Sequence, residues 1–166
     1  MNVDSLISAA SGLVGSIIGA AATYFVTRSS LNRQHENNKI ILQIQEDNAN
    51  LIALKSVRNE IESNIVMIGQ VEKVMEKLQI DFINLKASGI ESGIKDSKWE
   101  KHSDRLDCVL SEDQMNQINT FYLNLSVELI NQAFSSDRVE KLISSGLTAE
   151  KLLDGEITKR GRGTKR

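Results

Sequence analysis

The chain has 166 residues, a mass of 18.4 kDa, no proline, 4% aromatic residues and a formal net charge of −2. A sandwich or barrel needs many turns and many β-branched or aromatic strand residues, so this composition argues against both. A single cysteine, Cys108, excludes a disulfide scaffold, and what remains is a mostly helical chain of one domain with room for an appendage.

The first element is apolar. Leu6 to Thr27 contains no charged residue for 22 positions. At 1.5 Å per residue this makes about 33 Å of helix, enough to cross a hydrocarbon core of ~30 Å. Tyr24 and Phe25 stand at its end, Asp4 precedes it, and Arg28, Arg33 and Lys39 follow. Basic residues are retained on the cytoplasmic side, so residues 1–27 are expected to form a transmembrane anchor with the N-terminus outside. A signal peptide would begin with basic rather than acidic charge, and an in-plane helix would need a charged face. The expected location is therefore an inner membrane, single-pass.

Small residues pattern this segment. Ser8, Gly12, Ser16 and Ala20 recur every four residues, as do Ser11, Gly15, Gly19 and Thr23. Close backbone approach through such faces drives helix association in lipid, so this pattern predicts a homo-oligomer packed through Ser8, Gly12, Gly15, Ser16, Gly19 and Ala20. Residues 28–50 read as a helical juxtamembrane stalk weakened at Ser29–Ser30, Asn37–Asn38 and the 46–50 stretch.

Residues 51–155 read as a small cytosolic helical bundle. Leu54, Ile61, Ile68, Met75 and Phe82 recur every seven residues, and Val57, Asn64, Val71, Leu78 and Leu85 do so offset by three. Ile65, Val66 and Val74 widen this stripe toward a globular bundle. Asn64 interrupts the seam, either fixing register between helices or hydrogen-bonding a neighbouring element. Ser88–Gly89 is the expected end of the long helix. Asp96 or Ser97 opens a short helix carrying Trp99 and Leu106. Ser111-Glu-Asp-Gln114 is a capping box ahead of an amphipathic helix with Met115, Ile118, Tyr122, Leu125 and Leu129 on one face. Ser136–Asp137 opens a helix closed by Gly146, and Thr148 a last turn closed by Gly155.

Charge divides the chain. Lys159, Arg160, Arg162, Lys165 and Arg166 make residues 156–166 a basic tail, expected to be flexible and suited to a polyanion. Lys95, Lys98, Lys101 and Arg105 are spaced as one helical face, with His102 at its border, and form the candidate ligand-binding stripe for an anion. No HExxH, CxxC, P-loop or GxGxxG occurs, so no catalytic residue, metal site or cofactor is expected, nor is double-stranded DNA an expected partner. Cys108 lies among Leu106, Val109 and Leu110 and reads as a core thiol.

The Tyr24-Phe-Val-Thr-Arg28 end of the apolar segment, the Leu-x-x-x-Arg-x-Glu-Ile-x-x-Asn pattern from Leu54 to Asn64, the isolated Trp99 and the later helix with Tyr122 resemble small bacterial single-span membrane proteins. Some proteins of similar layout look like membrane effectors of type III CRISPR antiphage defence. That resemblance implies an oligomeric cytosolic domain binding a cyclic oligonucleotide. The expectation is thus an all-α, membrane-anchored sensor or effector, with a structural adaptor or a small pore protein as the alternatives.

Overall fold

The computed structural model describes the backbone of residues 3–89 and 93–163 and, within them, the side chains of all but 3–14, 17, 87, 88, 162 and 163. In chain order the elements are α1 (Val3–Leu78), β1 (Phe82–Asn84), α2 (Leu85–Ser88), α3 (Ser97–Asp107), α4 (Glu112–Asn131), β2 (Ala133–Ser135) and α5 (Ser136–Gly163). The contacts divide the chain into two compact units, Met1–Glu46 and Asp47–Arg166.

The first unit corrects the membrane assignment. Among the described residues no helix is long and apolar enough to cross a membrane. The expected transmembrane helix, the single-pass inner-membrane location and the fold class built on them are overturned by this finding. Among the described positions the apolar run from Gly15 is closed by Arg28, and Arg33, Glu36 and Lys39 follow on the same helix. Of Ser8 and Gly12 only the helical backbone is described. The helix also does not stop at Thr27 or pause at the Ser29–Ser30 and Asn37–Asn38 pairs. Each such residue costs only tenths of a kcal/mol, and no proline removes a backbone donor. On this unit Phe25, Val26, Ile40 and Leu42 are exposed.

In the second unit the heptad positions Leu54, Val57, Ile61, Asn64, Ile68, Val71 and Met75 are all buried. The stripe fails where the helix ends. The α1 terminus lies at Leu78, ahead of the expected Ser88–Gly89, and Leu78 and Phe82 are exposed. Gln79 takes φ 54°, with its N–H donating to the Glu76 carbonyl at 3.2 Å and the Ile80 N–H to Met75 at 3.1 Å. This is a Schellman termination built on glutamine instead of glycine. Val66 and Val74, expected to widen the core, are exposed.

Two short strands pair antiparallel, with Phe82 opposite Ser135, Ile83 opposite Phe134 and Asn84 opposite Ala133. Backbone bonds from Leu85 to Gln132 (3.0 Å) and from Ser136 to Asp81 (3.2 Å) extend the ladder, and the pair buries Phe134 completely. The capping box stands at Ser111 and Gln114, and α4 then buries Met115, Ile118, Phe121, Tyr122 and Leu125. After β2, α5 runs unbroken through Gly146 and Gly155 to Gly163, where two short helices and a flexible tail were expected. The close approach of two elements leaves no room for a side chain at Gly146: an added Cβ would stand 2.8 Å from Ile65 and 2.9 Å from Phe121.

Candidate functional site

The most organised polar centre lies where α1, α3 and α4 meet. Its middle is Glu60, whose side chain shares the buried stripe of α1 with Val57, Ile61 and Asn64. The N-cap residue of α3, Asp96, makes no side-chain cap. Glu60 does that work from another helix. Its carboxylate accepts from the Lys98 N–H at 2.8 Å, the Trp99 N–H at 3.0 Å and, at 3.4 Å, the Ser97 hydroxyl. A carboxylate at a helix N-terminus satisfies orphan donors and complements the macrodipole. The Tyr122 hydroxyl donates to the same carboxylate at 2.9 Å. Burial, and then the neighbouring Glu60 charge, push the Tyr122 phenol far above its ordinary range.

Asn64, one turn further along α1, holds the backbone just before α3. Its side-chain amide donates to the Lys95 carbonyl at 2.6 Å, and its side-chain oxygen accepts from the Lys95 N–H at 3.0 Å. An asparagine amide matches both edges of an extended residue. The buried seam position therefore joins a loop rather than a facing helix. The Trp99 ring stacks on Tyr122 with centroids 5.0 Å apart and planes 10° apart, and Phe121 meets Tyr122 edge-on at 5.2 Å.

The predicted basic stripe is partly brought together. Lys98, Lys101 and Arg105 lie on α3, all exposed, and none has a carboxylate within ion-pair distance among the described residues. Lys95 is exposed but precedes the helix, held through its backbone by Asn64. Arg105 donates to Asn50 at 3.2 Å. Burial, then Lys101, Lys98 and Arg105, hold His102 below the usual imidazole range, with Glu60 opposing them.

On the first unit, nothing lies within 4 Å of a Cβ built at Gly15 or Gly19, and Ser16 and Ala20 are exposed. Cys108, expected in the core, is exposed at the C-cap of α3, where its thiol contacts the Asp104 carbonyl at 3.6 Å. Among the described residues no group of three or more metal-ligating side chains converges.

Sequence reasoning missed Glu60, Trp99 with Tyr122, and a second tie between α1 and α5. There Arg58 meets Glu62 at 2.5 Å, Glu150 at 2.7 Å and Asp154 at 3.1 Å. One signal pointed to Glu60: it sits beside Ile61 and one turn before Asn64, which places an acid on the apolar stripe. Compared with known proteins, the chain matches no family model, and no curated protein or solved structure aligns with it.

Proposed function

We propose that the protein is a non-catalytic assembly protein with a helical head, the unit from Asp47 onward, and an N-terminal helical arm, the unit up to Glu46, that associates with the same arm of a second copy. The observation that carries this reading is the exposure of Phe25, Val26, Ile40, Ile41, Leu42 and Ile44 on one helix. Helical stability in water comes mainly from packing an apolar face, and these exposed side chains gain by being covered. Charge favours a second copy as that partner. Residues 1–46 carry Arg28, Arg33 and Lys39 against Asp4, Glu36 and Glu46, so two arms meet without net repulsion. The open space at Gly15 and Gly19 permits close helix approach.

Sedimentation equilibrium of the full chain tests this. The wild type is expected to be dimeric or larger. The Ile41→Glu/Ile44→Glu variant, altered one turn apart on one face, is expected to be monomeric with unchanged thermal unfolding of the head. A monomeric wild type would refute the reading.

A second reading, an anionic ligand on α3, is favoured by the three cations Lys98, Lys101 and Arg105 standing without a carboxylate partner among the described residues. A cyclic oligoadenylate is the concrete candidate, since repeated phosphates match repeated cations. Its binding would offset the charges that depress His102, so the imidazole pKa, followed by NMR, would rise on titration. An unchanged His102 titration at saturating nucleotide would sink it.

A further inference from the structure

The helix α3 is held differently from its neighbours. Of its eleven residues only Leu106 is buried, whereas α4 buries six of twenty. Apolar anchors lie at the margins, with Ile94 before the helix and Leu110 after it. Within α3 the apolar contacts are Leu106 and the Trp99 ring, and the polar attachment is concentrated at one end. Two backbone N–H groups and one hydroxyl of α3 go to Glu60, and the preceding Lys95 backbone goes to Asn64. The stacked Trp99 covers Tyr122, whose hydroxyl binds the same carboxylate.

We propose that α3 is a releasable strap, latched at its N-terminal end by the Glu60 carboxylate, which swings away as a unit while α1, α4 and α5 stay packed. Segments with few buried apolar contacts open at lower free energy than the surrounding core. Here the opening has a defined first step, because the charged hydrogen bonds share one acceptor group. Losing the Glu60 contacts frees Lys98 and Trp99 together and bares Tyr122. Opening also moves Lys98, Lys101 and Arg105 relative to the bundle, so the latch sets where those cations stand. Glu60 is a positioning residue in this scheme.

Trp99 is the only tryptophan, so its emission reports on the seat of the strap against Tyr122. The experiment compares the full-length wild type with Glu60→Gln by amide hydrogen exchange and by Trp99 fluorescence. Glutamine keeps the shape but replaces one acceptor oxygen by a donor facing amide donors. The expected result is that the Lys98 and Trp99 amides exchange about 10- to 100-fold faster, the range set by losing one charge-assisted hydrogen bond. Trp99 emission should shift to the red, while protection of Ile118, Leu125 and Leu142 is unchanged.

Equal acceleration throughout the bundle would overturn the proposal, because it would make Glu60 a part of the global core. So would wild-type α3 amides as protected as those of α4. Should Glu60→Gln fail to fold, Tyr122→Phe removes a single bond to the same carboxylate. It should accelerate exchange of Lys98 and Trp99 severalfold with the α4 and α5 amides unchanged, and uniform or absent acceleration there would refute the strap.

Discussion

Gly146 and Gly155 lie nine residues apart in α5, yet the structure assigns opposite signs to the same substitution at the two positions. Replacing an interior helical glycine by alanine gains about 0.5–1 kcal/mol, because alanine has less backbone freedom to lose on folding. At Gly155 nothing stands within 4 Å of the added Cβ, so Gly155→Ala should stabilise the protein by that amount. At Gly146 the added carbon would stand 2.8 Å from Ile65 Cγ1 and 2.9 Å from Phe121 Cε2. Ile65 is half-buried and able to yield, but Phe121 is fully buried and backed edge-on by Tyr122 at 5.2 Å. Overpacking of this kind costs about 1–3 kcal/mol, which outweighs the helical gain and leaves Gly146→Ala destabilised by about 1–2 kcal/mol. Equilibrium urea unfolding followed by circular dichroism measures both, provided the m-values agree. Two refutations are available. Equal stabilisation at both positions would mean that α1 and α4 do not approach Gly146. Destabilisation at Gly155 would mean that this glycine ends a helix in the left-handed region, as the sequence pattern suggested.

Two further outcomes are expected. Asn64→Ala strips both hydrogen-bonding edges of Lys95 of their partner and should cost about 2–3 kcal/mol in the same urea assay, since each lost bond is worth ~1 kcal/mol or more. A cost under a few tenths would mean that the 93–96 loop is not held by this side chain. Tyr122 keeps its proton in the fold to a far higher pH than in the unfolded chain, where a phenol ionises near pH 10. Its contribution is therefore fully present below pH ~10 and is lost as pH rises beyond it, because only the unfolded state gains by releasing the proton. Wild-type stability should fall over that interval, and Tyr122→Phe should flatten the fall. Parallel pH curves for the two proteins would contradict a buried, bonded phenol.

What could be read from the chain was what is decided locally. The Ser111–Gln114 box closes within three residues, with the Ser111 N–H reaching Gln114 at 2.9 Å and the Gln114 N–H reaching back at 3.4 Å. The seven-residue repeat located the buried face from Leu54 to Met75 because every position repeats the same environment. It misled beyond Leu78, where termination depends on Gln79 accepting a left-handed backbone usually given to glycine. The same residue type does the same work at Gln132, φ 52°, after α4. Each left-handed glutamine is followed by a strand of only three residues, and the partners lie about fifty positions apart. Neither strand has enough length for an alternating pattern to register. The glycines erred in the other direction: Gly146 and Gly155 looked like helix ends, but neither is left-handed. Glu60 was unreadable as a cap because it serves a helix that begins 37 residues later. The basic stripe was legible on α3 from Lys98 onward, and only there, because Lys95 lies ahead of the first helical turn.

The arm yields a prediction that separates it from the head. An unsupported helix is marginal in water, and nucleation is costly enough that loss of packing along one face melts long stretches together. The head carries its own buried core, from Leu54 through Phe121 to Leu153. If arms stabilise one another, helicity becomes concentration-dependent in the arm and not in the head. Dilution of the full chain should lower its ellipticity at 222 nm by up to the share contributed by residues 3–46, while Trp99 emission, which reports the head, stays constant. Ile41→Glu/Ile44→Glu should show the diluted value at every concentration, since mass action no longer supports the arm. Ellipticity that stays constant on dilution of the wild type, down to a concentration where sedimentation shows monomer, would mean that the arm is helical without a partner. The exposed isoleucines would then need no second copy to cover them.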